Sequence, residues 1–236
     1  MSTDGLTPMP SVEPEPEKEK KRRGGIFLIL LSVLLIGGGV YLGVRSMVVP
    51  PVPTPSNGAP TLKDMKGNLV VPDDPSATSP EFMEKAQMVV DTGGDGFQIP
   101  ILDINVPLGA VNAVNGVMNP PNFQNAFWVR NMGVSLDNAG SGTVYVVAHS
   151  TRYGVAPGNL VQKAEQVLLK PGDPIKVDNR TYRFVSSMTM PQGELGSYTD
   201  LWDETKPNRL VFVTCLLRND GAAPTDNLVL IGELME

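Results

Sequence analysis

The chain has 236 residues, 41% hydrophobic and 19% charged, with a formal net charge of −6 at pH 7. That length holds one folded domain plus accessory segments. The acidic balance argues against a nucleic-acid partner, because such binding is dominated by neutralising phosphates with Lys and Arg.

Residues 1–23 are rich in Pro, Glu and Ser, lack apolar periodicity, and read as a disordered tail. Five acids and five bases cancel there, so the net charge lies wholly beyond them. Lys18, Lys20, Lys21, Arg22 and Arg23 form a basic cluster just before residues 24–44, a run of 21 residues without a charge. At ~1.5 Å per residue such a helix spans roughly 30 Å, the thickness of a bilayer's hydrocarbon core. A cleaved signal peptide is the alternative. The run exceeds the usual apolar core of such a peptide, though, and no small-x-small cleavage site follows. The expectation is an uncleaved transmembrane anchor. Five basic residues before it, against Arg45 after it, orient the N-terminus to the cytoplasm and everything downstream to the outside.

Residues 45–60 read as a linker, with five prolines between Val48 and Pro60. Residues 61–96 read as an N-terminal arm or a lid. A helix is predicted over Glu81–Val90, with Ser79 as N-cap and Pro80 at the first position. Gly93, Gly94 and Gly96 then break the chain before a domain at 97–236.

That domain is a series of short strands: Phe97–Leu102, Ile104–Leu108, Thr143–His149, Pro174–Val177, Thr181–Met190, Leu210–Cys215 and Asn227–Gly232. Asp178 and Asn179 suit a hairpin turn. A second helix is predicted over Asn159–Leu169, where Leu160, Ala164, Val167 and Leu168 share one face. Seven strands with one inserted helix argue an all-β fold, a single closed or nearly closed barrel.

The chemistry concentrates at two strand ends. Cys215, the sole cysteine, follows the apolar run from Leu210, and His149, the sole histidine, follows the run from Thr143. A lone Cys is more often a small buried hydrophobe, and a lone His a satisfied polar residue. Outside the cell, however, Cys215 has no second cysteine in the chain to bridge to. A thiol and an imidazole at the tips of separate strands are what a Cys–His nucleophilic site needs.

Four blocks, in order, resemble the sortases, membrane-anchored cysteine transpeptidases of Gram-positive bacteria. They are Ile99-Pro-Ile-Leu-Asp-Ile-Asn-Val-Pro107, Gly142-Thr-Val-Tyr-Val-Val-Ala-His149, Leu168-Leu-Lys-Pro-Gly-Asp-Pro-Ile175 and Val211-Phe-Val-Thr-Cys215. The resemblance covers about residues 97–232. It implies an eight-stranded barrel with one or two short helices that cleaves an LPxTG-like sorting signal of exported proteins. Cys215 would form a thioester and His149 would move the proton. The acyl group would pass to an amine of a peptidoglycan precursor or a pilin. No metal or organic cofactor is implied. Some sortases are stimulated by calcium, but no acidic cluster here is dense enough to hold it.

The family's arginine usually stands about a dozen residues after the cysteine. Here that stretch is Ala223-Pro224-Thr225. Arg218 is the substitute by elimination, with Arg152 second. Trp202 and Thr214 are assigned to substrate binding, Trp202 as the wall of an apolar pocket or as a packing anchor for its loop. Asn119–Phe123 and Trp128 are taken as structural. No second apolar span follows the domain, which favours wall anchoring over pilus assembly. A mainly hydrolytic or pilin-polymerising enzyme and an inert tethered binding domain stand as alternatives. The peptidoglycan L,D-transpeptidases, which also use Cys and His, place a histidine and glycine before the cysteine, where this chain has Val213 and Thr214.

Overall fold

A computed structural model describes residues 61–72 and 79–235. The tail, the anchor and the linker expected over 1–60 lie outside the described residues. Among the described residues no helix is long and apolar enough to cross a membrane.

Nine strands form one sheet. In chain order they are β3 (Phe97–Ile99), β4 (Ile104–Val106), β5 (Leu108–Val111), β6 (Ala126–Val129), β7 (Thr143–Ala148), β10 (Pro174–Val177), β11 (Arg180–Pro191), β12 (Arg209–Cys215) and β13 (Asp226–Leu234). Two small hairpins complete the set, β1 (Leu62–Lys63) with β2 (Leu69–Val70), and β8 (Gln162–Lys163) with β9 (Gln166–Val167). The order across the sheet is β4-β3-β10-β11-β13-β12-β7-β6-β5. Its two edge strands, β4 and β5, are joined by Pro107 alone. A single residue cannot bridge an open nine-stranded sheet at ~4.8 Å per strand, so the sheet must curl until its edges meet. Proline suits the junction. It has no N–H to donate where the chain leaves β3 and takes up β6. Counted as one strand kinked at Pro107, β4 and β5 reduce the nine to the expected eight.

β12 is an interior strand of the sheet, next to the middle strand β13. It pairs antiparallel with β13 and parallel with β7. Leu210 and Phe212 point into the barrel, where Phe212 stacks on Phe97 at 5.1 Å between ring centroids. Val211 and Val213 point outward, into a second apolar layer with Tyr145, Val147, Val229 and Leu201. Burial on both faces is why this stretch reads as a continuous apolar run instead of an alternation.

Both predicted helices are corrected. The first, α1, runs Pro80–Ala86, with Ser79 Oγ accepting from Phe82 N at 3.2 Å, and stops at Gln87, which takes a left-handed φ of 44°. The second, α2, is one turn, Pro157–Leu160. Val161 and Gln162 are both buried after it, and Ala164 (φ 52°) and Glu165 (φ 61°) turn the chain back as the β8–β9 hairpin. A helix would have carried Gln162 away from the polar groups it satisfies (below). Among the strands, β3 ends at Ile99 in a 3-10 turn over Pro100–Leu102, and β6 was not anticipated.

Candidate active site

Residue parity along β7 and β12 decides what the site contains. The parallel register aligns Val213 with Val147. Both side chains lie in the outer apolar layer. Two residues further on, with the same parity, come Cys215 and His149. The strands thus deliver thiol and imidazole to the same outer face, on neighbouring strands, at their carboxyl ends. Both residues are partly buried and line one cleft of about 420 Å3. A smaller recess of about 80 Å3, lined by Val147, Val213 and both reactive residues, lies against them.

His149 is oriented by a segment taken from sequence as structural. Its Nε2 lies 2.7 Å from Pro120 O, and its ring packs on Phe123 with centroids 4.5 Å apart. A carbonyl can only accept, so Nε2 carries a proton. In the neutral imidazole that leaves Nδ1 as the atom with a lone pair. Proline and asparagine around an aromatic residue were the available signal, since a Phe in a turn-rich stretch needs somewhere to bury.

Thr214 faces the opposite way from Cys215. It is buried, and its hydroxyl lies 2.9 Å from Ser150 Oγ. Of the cavities around the site it lines only the small recess. Assigned to substrate binding, it instead braces the strand ends from the barrel side. The fit is tight: a Cβ on Gly158 would meet Thr214 Oγ1 at 2.0 Å and Ser150 Oγ at 2.4 Å. Gln162, unnoticed in the sequence, completes this layer. Its buried amide donates to Cys215 O at 2.9 Å and Gly158 O at 2.9 Å, and accepts from Leu217 N at 2.8 Å.

The arginines stand elsewhere. Arg218 forks onto Asp220, with Nε–Oδ1 at 3.0 Å and Nη2–Oδ2 at 2.5 Å. Those hydrogen bonds raise the arginine's pKa and hold the Asp220 carboxyl far below the usual carboxylate range. Arg152 lies over the Tyr153 ring, 5.0 Å from its centroid, and its Nη1 is 3.5 Å from Gly221 O. Neither lines the cleft. Ala223 and Pro224, where the family's arginine would stand, do line it. Among the described residues that line the cleft none is Arg, Lys, Asp or Glu. A polar side chain with no signal in the sequence stands beside the sulfur: Gln192 Nε2 lies 3.6 Å from Cys215 Sγ.

Beside the cleft is a second cavity of about 500 Å3, lined by Met132, Leu195, Trp202 and Val213, with Val117, Met118 and Gln192 shared between the two. Trp202 packs within its loop and also lines this cavity. It stacks on Tyr145 at 5.5 Å, donates from Nε1 to Leu195 O at 2.8 Å, and still walls the cavity. Its loop is tied to the barrel by the buried Arg209, which donates to Thr143 Oγ1 and to the carbonyls of Asp200, Leu201 and Asp203. Val71 and Pro72, from the arm after β2, line the cleft's far side. Among the described residues no three of His, Cys, Asp and Glu gather in a set that could hold a metal ion.

No family model and no curated protein matches the sequence. Solved structures that the chain is similar to include sortases, the family whose motifs its sequence resembles. Listeria monocytogenes sortase A is 22% identical, with a TM-score of 0.45 over 63% of this chain and 88% of that one. Sortase E1 from Streptomyces coelicolor, solved with a tripeptide in its active site, is 18% identical, with a TM-score of 0.44 over 61% and 88%. A pilus-related sortase C of Group B Streptococcus is 15% identical, with a TM-score of 0.45 over 62% and 70%. At these identities and TM-scores neither fold nor residue role is taken from the likeness.

Proposed function

We propose that this protein is a sortase-type cysteine transpeptidase, tethered by residues 24–44 with its catalytic domain outside the cell. Its substrates would be exported proteins carrying an LPxTG-like sorting signal, and its acceptor an amine of a cell-wall precursor. The observation that carries the reading is the register of β7 and β12, which sets His149 and Cys215 side by side on one face of a cleft.

The steps follow from those two groups. The Cys215 thiolate attacks the scissile carbonyl carbon, and the carbonyl π electrons move onto oxygen. As the carbonyl re-forms, the C–N bond breaks and the leaving amine takes a proton from the His149 imidazolium, giving a thioester. An incoming amine then attacks the thioester and loses its proton to His149, and the thiolate leaves. The Pro120 carbonyl accepts from Nε2–H in both protonation states, so the ring need not turn between the two half-reactions. The apolar cavity walled by Trp202 and Met132 would take the signal's apolar side chain.

The test uses the full-length chain in detergent with a library of LPxTG-like peptides and an amine, read by mass spectrometry. An acyl adduct on Cys215 that is discharged by the amine is the expected result. A chain that acylates with no peptide, and whose thiol resists mild alkylation, would be a tethered binding domain instead.

A further inference from the structure

No Arg or Lys is among the described residues that line the cleft, which turns attention to neutral donors beside the thiol for the negative charge of acyl transfer. The backbone does not supply it from beyond the nucleophile. Leu216 N donates to Asp226 O at 2.9 Å, and Leu217 N donates to Gln162 Oε1 at 2.8 Å. On the histidine side, Thr151 N donates to Asn159 Oδ1 at 2.9 Å. These three N–H groups are engaged in holding the strand ends together.

We propose that the side-chain amide of Gln192 is the oxyanion donor of this site, a neutral group in the place of an arginine. The fold aims it there. β13 lies between β11 and β12, pairing Asp226 with Pro191 on one side and Asn227 with Cys215 on the other. Gln192 is the next residue after Pro191, and its own N–H donates to Thr225 O at 2.9 Å. From that anchored backbone its side chain reaches over the start of β13 to Sγ at 3.6 Å. A donor that touches the sulfur is within reach of an oxygen two bonds further on, once the carbonyl carbon has bonded to Sγ. One amide N–H then serves the thiolate before attack and the oxyanion after it. Gln192 also lines both cavities, so a peptide lying across them passes directly over it.

This inference rests on the acyl-transfer reading, and its test separates the two. Gln192→Ala and the near-isosteric Gln192→Glu are made in the full-length protein. The residue is exposed, so both variants should melt as the wild type does. Turnover with the best peptide and amine should fall by ~100-fold, mainly in kcat, as for other single oxyanion donors. Alkylation of Cys215 by iodoacetamide at neutral pH, which needs no peptide, should slow roughly fivefold with the loss of one hydrogen bond to the thiolate. Full turnover in both variants overturns the role of Gln192 and leaves the transpeptidase reading standing. If no peptide acylates even the wild type, the transpeptidase reading fails, and alkylation alone judges Gln192: slowed, it is a donor to the sulfur; unchanged, it is not.

Discussion

The two sides of the cleft are built on different principles. One side is the pair of parallel strands β7 and β12, whose apolar faces lock into the core; Cys215 is the last residue of β12 and His149 directly follows β7. The other side is loop: the 116–123 segment, the turn that starts at Gln192, and Ala223 and Pro224 before β13. On the strand side, position follows from a period of two and a register, and a one-residue slip would turn both reactive groups into the barrel. On the loop side, position follows from individual hydrogen bonds, and a residue two places away can point elsewhere entirely. On the proposed function, the reacting pair is carried by the strands, and the groups that would select and polarise a substrate are carried by the loops.

The largest test of that division is removal of the strand-borne pair. Cys215→Ala should abolish transpeptidation. His149→Ala should lower it by ~10³-fold or more while leaving the thiol open to alkylation. Wild-type turnover without His149 would make the imidazole structural and empty the strand side of its role.

Next is the layer that holds the strand ends. Gln162→Leu keeps the volume but strands Cys215 O and Leu217 N, two groups its amide now satisfies. At ~1–3 kcal/mol for each unmet buried group, thermal or urea unfolding should show a loss of about 2–6 kcal/mol. A loss within error would mean that water replaces the amide and that the strand ends do not depend on it.

The same contrast governs what could be read from the sequence. Strand ends were legible because apolar β-branched runs announce buried strands, and Pro174–Val177 was read with the bounds the structure gives. The 159–169 stretch misled because its apolar spacing fits a helix, yet Leu168 is 41% exposed while Val161 and Gln162 are buried. Tertiary demand for one buried amide outweighed the pattern. Gln192 had no signal at all. It sits among Gly193, Glu194 and Gly196, and only the pairing of β11, β13 and β12 brings it to the sulfur.

A smaller effect concerns the arm that lends Val71 and Pro72 to the cleft. It is pinned by Asp64, buried at 0% exposure, which accepts from Lys66 N, Asn68 N, Asn68 Nδ2 and Val155 N. Burial alone would raise its pKa, but the hydrogen bonds from Asn68, Val155 and Lys66 together hold it below the usual carboxylate value. A depressed folded-state pKa contributes stability that is present above the unfolded value of ~3.9 and is lost as pH falls through the folded one. Hydrogen exchange should therefore show residues 61–72 losing protection below about pH 4, and Asp64→Ala should release them at neutral pH with the barrel intact. An arm that stays protected in Asp64→Ala would be held by the packing of Val70 on Phe123 and Ala156 instead.

The smallest expected effect is the most exposed to contradiction. Arg218 is the only arginine after Cys215, and elimination from the sequence made it the oxyanion cation. In the structure its guanidinium is forked onto Asp220, two residues along its own loop, and does not line the cleft. Asp220 stays ionised throughout any workable assay range, because its carboxyl is held far below the usual value. No pH near neutrality lets the arginine go, and to reach substrate Arg218 would have to abandon that partner. Arg218→Ala should accordingly leave kcat/KM within ~2-fold of wild type, against the ~100-fold that loss of an oxyanion donor brings. Asp220→Ala gives the reciprocal reading, since it frees the guanidinium without removing it. If Arg218 served the site, that variant would work better than wild type; on the present geometry it should be no faster. A ~100-fold fall in Arg218→Ala would mean that the loop swings onto bound substrate, and that the loop side of the cleft is assembled only in the complex.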